Sequence, residues 1–70
     1  MQEKLIILLK QNDLTQHWLA TLLKISDKQV GKKISGEVPF KSDEMFKVAD
    51  YFSMKIEDIF LPRMYENGTN

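Results

Sequence analysis

Residues 14–36 read LTQHWLATLLKISDKQVGKKISG. Leu19, Leu22 and Leu23 recur at helical spacing behind Thr15, a good N-cap, so the stretch opens with a helix running through Leu23. Ser26, followed three residues later by Gln29, has the capping-box form and starts another helix. Its inward residues are Val30 and Ile34, four apart. Only Lys24-Ile25 lies between Leu23 and Ser26. So short a turn between two short helices is the helix-turn-helix arrangement, whose second helix can enter a DNA major groove. Ala20 supplies the small residue that a close crossing needs on the first of the pair, and Val30 the branched residue on the second.

Outward from this pair the pattern stays helical. Leu5, Leu8 and Leu9 mark a helix over 2–12, ended by Asn12-Asp13. Gly36 and Pro39 break the chain after the central pair. Ser42 with Asp43 and Glu44 offers a cap and two carboxylates at the positive end of a fourth helix. Met45, Val48, Ala49 and Phe52 are its core face. Ile56, Ile59 and Phe60 predict a short fifth helix stopped by Pro62, and residues 66–70 a disordered tail. No alternating run is long enough for a strand. The expected fold is all-α, a compact five-helix domain over residues 1–65.

Composition narrows the function. A chain of 70 residues is one domain, and with no cysteine it has no disulfide framework, zinc-finger spacing or thiol nucleophile. The longest apolar run, Leu5–Leu9, is too short to span a membrane and lacks a signal-peptide cleavage pattern, so a cytoplasmic protein is expected. The formal net charge is zero, but it is unevenly spread. Residues 24–41 hold five lysines against two acids, and residues 42–70 three basic residues against six acids. A local basic face is what matters beside DNA, because phosphate attraction is screened within about 8–10 Å. His17, the one histidine, has no acid, serine or cysteine arranged with it as a triad. Asp43/Glu44 and Glu57/Asp58 are adjacent carboxylates that open helices, which the helix dipole explains better than metal binding or acid catalysis. There is no phosphate-binding loop or dinucleotide motif. An enzyme, a cofactor and a metal site are not expected.

The stretch 14–36 resembles the helix-turn-helix of the lambda-repressor-like family of Cro, CI and XRE regulators, through Leu14, Thr15, Gln16, Leu19, Ala20, Ser26, Val30 and Gly36. SDEMFKVADYFSMKIEDIF looks like the fourth and fifth helices of these domains, and the resemblance covers about residues 3–62. The ordered set is specific, while no single position is. KKISG followed by Pro39-Phe40 and Ser42-Asp43-Glu44 resembles the short Cro-type prophage regulators of Gram-positive bacteria. Two positions depart from the pattern. Lys24 stands where glycine is common, at a cost of about 1 kcal/mol if its backbone is left-handed. Lys33 stands where an apolar residue is usual and Ile34 where a polar one is, which leaves open which of the two faces the core.

The resemblance implies a sequence-specific DNA-binding regulator, a Cro-like repressor, holding double-stranded operator DNA as a homodimer without a cofactor. Lys28 and Lys32, on the face away from Val30, then contact bases or phosphates. Asp27 accepts from a base amino group or serves the helix dipole, and Gln29 reads a base or completes the capping box. Gly31, beside that face, lets the backbone approach a groove or is simply a small surface residue. Gln16, at the start of the second helix, is the family's usual phosphate contact. Thr15 and Ser26 are caps with a phosphate as second use, and Lys33 and Lys41 are further phosphate candidates. Phe60, Leu61, Met64 and Tyr65 are the candidate dimer contact. Trp18 is expected to bury part of its ring against the first helix. Because the sequence stops soon after the fifth helix, a Cro-type protein is expected and not a CI-type repressor with a second domain. The rival reading is a protein-interaction module of the same fold, an antitoxin or anti-repressor partner, favoured by the zero net charge and by Ile6-Ile7.

Overall fold

Four α-helices follow one another: α1 (Glu3–Gln11), α2 (Gln16–Leu23), α3 (Asp27–Ser35) and α4 (Ser42–Phe52), then a single 3₁₀ turn at Ile56–Asp58. The structure, a computed structural model, describes residues 1–60, and no strand occurs among them. The expected tail at 66–70 and Leu61, Met64 and Tyr65 lie outside the described residues.

Each helix starts and stops for a local reason. The Thr15 hydroxyl accepts the Trp18 N–H at 3.0 Å, and the Ser26 hydroxyl accepts the Gln29 N–H at 3.1 Å. Each cap satisfies a donor that the helix itself leaves unpaired. The cap of α4 falls one residue earlier than expected. Lys41 is the N-cap, Ser42 is the first helical residue, and the Glu44 Oε1 reaches back to accept the Lys41 N–H at 2.9 Å.

All four helices end the same way, in a left-handed residue whose neighbours close the paired hydrogen bonds of a Schellman motif. At the end of α2, Lys24 N–H donates to Thr21 O and Ile25 N–H to Ala20 O, with Lys24 at φ 59°. Asp13, Gly36 and Ser53 do the same after α1, α3 and α4, at φ 57°, 92° and 54°. Only Gly36 adopts this backbone without a steric penalty; Asp13, Lys24 and Ser53 carry it with a side chain.

The core sits where the helices meet. Leu5 and Leu9 of α1, Leu19, Ala20 and Leu23 of α2, Val30 and Ile34 of α3, and Met45, Val48 and Ala49 of α4 are buried around it. Phe40, from the loop before α4, lies with its ring 5.0 Å from that of Phe60, and both are fully buried. The Gln2 N–H donates to Ile34 O at 2.8 Å, which ties the start of α1 to the end of α3.

Two expectations are corrected here. The fifth helix is a single 3₁₀ turn, because Ile59 and Phe60 both turn into the core directly after it. Phe60 is therefore inside the domain, with no ring surface left for a dimer contact. Trp18 is partly buried, as expected, and packs edge-on against Tyr51 and Phe52 of α4, at 4.8 and 6.0 Å between centroids.

Candidate nucleic-acid interface

The α2–α3 pair positions the residues that matter. These two helices make the most extensive helix–helix contact in the described chain, with Ala20 and Val30 both buried, as the close crossing requires. Lys24 turns the chain and Ile25 half buries its side chain, so only three residues separate α2 from α3. With Val30 and Ile34 facing inward, Asp27, Lys28 and Gln29 are left exposed on the first turn of α3, and Lys32 is half-buried one turn on.

The start of α2 lies along this same region. A side chain placed on Gly31 would meet the Gln16 Oε1 at 3.8 Å, an ordinary van der Waals distance. The His17 Nδ1 lies 2.9 Å from one Asp27 carboxylate oxygen and 3.2 Å from the other. Gln16 and His17 from the first turn of α2 thus border Asp27 and Gly31 of α3, forming one polar surface at the N-terminal end of the helix pair. Helix N-termini carry unpaired N–H groups and a partial positive charge, so such a surface accepts anions. Thr15 and Ser26, the two caps, are exposed on it with their hydroxyl oxygens already committed to backbone N–H groups.

Lys33 is not part of it. Its side chain is 5% exposed, and the ammonium is held 2.7 Å from Glu44 Oε1, 3.4 Å from Pro39 O and 5.9 Å from the centroid of the Phe40 ring. The expected phosphate contact at Lys33 is therefore corrected, since a phosphate has no access to a nitrogen inside the protein. The choice between Lys33 and Ile34 resolves as both: positions 30, 33 and 34 share the inner face of α3, and the one charge among them is neutralised. Glu44, expected only to serve the dipole of α4, is the counter-ion. The exposed basic stretch is left with Lys24, Lys28, Lys32 and Lys41 against Asp27 and Glu37. Lys41 is exposed at the start of α4, next to the Lys33–Glu44 pair at the far end of α3 from Asp27.

His17 is the residue that sequence reasoning missed. A lone histidine near a helix start reads as solvent-exposed, and it is, but its partner stands ten positions away across the turn. Only the crossing of the two helices brings them together. Among the described residues no cluster of three or more His, Asp or Glu is placed to hold a metal, and no helix is long and apolar enough to cross a membrane.

The described chain is thus an all-helical domain with a three-residue turn joining two crossed helices whose N-terminal ends share a polar surface. No family model and no curated protein matches it. Its structure is similar to the crystal structure of a transcriptional regulator from Listeria innocua, with a TM-score of 0.79 and 26% sequence identity. The match covers 99% of this chain and 62% of that one, so this chain spans less than two thirds of that regulator's length.

Proposed function

We propose that this chain is a sequence-specific DNA-binding transcriptional regulator of the lambda-repressor-like kind, a Cro-type repressor, with α2 and α3 as its helix-turn-helix. In this reading α3 lies in the major groove with Asp27, Lys28, Gln29 and Lys32 toward base edges, and Gly31 keeps that face low. The start of α2, led by Gln16, holds a phosphate of the flanking backbone. The observation that carries the reading is the shared surface of Gln16, His17, Asp27, Lys28 and Gln29, which buries no apolar side chain and faces out along one helix pair. The similarity to a transcriptional regulator supports it.

A single domain with a handful of base contacts binds weakly, so the operator-bound form is a homodimer on two half-sites about one helical turn apart. Selecting duplexes from a random pool tests the reading. Enrichment of one motif with twofold symmetry is the expected result, and no enrichment over the starting pool contradicts it. The rival, a protein-interaction module, draws its support from α4, where Phe46 is 63% exposed beside a groove that also includes Met54 and Ile56.

A further inference from the structure

The His17–Asp27 pair has a chemical consequence for DNA binding. A carboxylate only accepts hydrogen bonds, so the Nδ1 that faces Asp27 must carry the hydrogen. In a neutral imidazole the other nitrogen, Nε2, then presents a lone pair. Toward a phosphate oxygen that lone pair is repulsive, and the Asp27 charge beside it adds to the repulsion. One more proton changes both terms: Nε2 becomes an N–H donor, and the pair goes from a net single negative charge to neutral. The His17 side chain is 77% exposed, so its unengaged edge is open to a ligand.

We propose that His17 is a further phosphate-contacting residue, anchored through Nδ1 on Asp27 and donating from Nε2, and that DNA binding takes up a proton at this imidazole. The proposal rests on the DNA-binding reading above. It also recasts Asp27, which orients His17 as well as facing the groove. Histidine is the side chain type that ordinarily changes charge between about pH 5 and 8. α2 carries no other charged residue. Besides Asp27, the titratable groups on the elements that pack against α2 are Lys24 in the turn, Lys28, Lys32 and the inward Lys33 on α3, and Asp43, Glu44, Lys47, Asp50 and Tyr51 on α4. Asp27 is the charged group within ion-pair distance of His17 among the described residues.

The test measures the affinity of the full chain for a duplex selected from random DNA, by fluorescence anisotropy at fixed ionic strength between about pH 6 and about pH 8. One linked proton changes affinity by at most about tenfold per pH unit. The wild type should weaken several-fold to tenfold as pH rises through the histidine range. His17→Gln should bind at the weak high-pH level throughout, with no slope. His17→Lys, cationic across the range, should bind tightly with no slope. A wild-type affinity that is flat with pH, or a slope that survives in His17→Gln, overturns the proposal while leaving the DNA-binding reading intact. Failure to select any duplex overturns both.

Discussion

The Lys33 ammonium and the Glu44 carboxylate meet at 2.7 Å with both side chains almost wholly buried, and the same Glu44 oxygen caps α4 by accepting the Lys41 N–H. One carboxylate thus joins the end of α3, the loop carrying Pro39 and Phe40, and the start of α4. Removing either partner leaves the other charge buried and unpaired, which costs about 3–5 kcal/mol. For a domain this small that is a large part of the total stability. Urea unfolding should therefore show Lys33→Ala and Glu44→Ala each losing about that much. The double variant Lys33→Met/Glu44→Leu should lose less than either single one, because an apolar pair of similar volume carries no desolvation cost. Equal or greater loss in the double variant would contradict a role set by charge pairing.

Lys24 holds a left-handed backbone at φ 59° and ψ 43° with an exposed side chain that makes no hydrogen bond or ion pair among the described residues. Lys24→Gly should remove the steric penalty, of which part is returned as greater freedom of the unfolded chain. A net gain of about 0.5–1 kcal/mol is expected, which corresponds to a rise in Tm of about 2–8 °C. Calorimetry checks it, and a lower Tm would mean that Lys24 makes a contact worth more than the strain.

Gly31 is helical, and a methyl group there would meet only the Gln16 Oε1, at 3.8 Å. The protein itself has room for it. Gly31→Ala should raise stability by about 1 kcal/mol through helix propensity alone. If the backbone at this position approaches a DNA groove, the same variant should bind the selected duplex more weakly while being more stable. Stability and affinity rising together would make Gly31 a small residue with no part in binding.

Lys28 and Lys32 are distinguished by the pattern of loss, not its size. A base-reading lysine replaced by alanine should cost about 1–3 kcal/mol on the selected duplex and relax preference at one base pair. A phosphate-contacting lysine should weaken binding evenly across sequences and lower the salt slope by about one. Lys28 and Lys32, both turned toward base edges in the proposed reading, are expected in the first class, and an even loss at half-buried Lys32 would move it to the second. Competition binding against single-position duplex variants assigns each.

Most of the fold was legible in the sequence because local signals agreed with global ones. Thr15 and Ser26 cap as their types dictate, and Leu5, Leu9, Leu19, Leu23 and Val30 at helical spacing are buried, with Leu8 and Leu22 partly so. What could not be read depended on tertiary neighbours. Lys33 looks like a surface cation until Glu44, eleven positions on, is folded against it. His17 looks unpaired until the helix crossing delivers Asp27. Trp18 lies on the edge of the inner stripe of α2, and only the placement of α4 decides which aromatic rings it meets. Ile56, Ile59 and Phe60 carry helical spacing, yet a 3₁₀ turn buries Ile59 and Phe60 just as well. Of the candidate site, the exposed start of α3 and the start of α2 were legible from capping and spacing; the histidine that links them was not.

The central claim is that the joined N-terminal ends of α2 and α3 recognise DNA by sequence. The most direct test is the affinity of the full chain for its selected duplex and for a scrambled duplex, measured from about 50 to about 200 mM salt. Sequence-specific recognition predicts tighter binding to the selected duplex by at least about a thousandfold, with affinity falling by orders of magnitude across the salt range. Affinity that is flat with salt, or equal for the two duplexes, would contradict it.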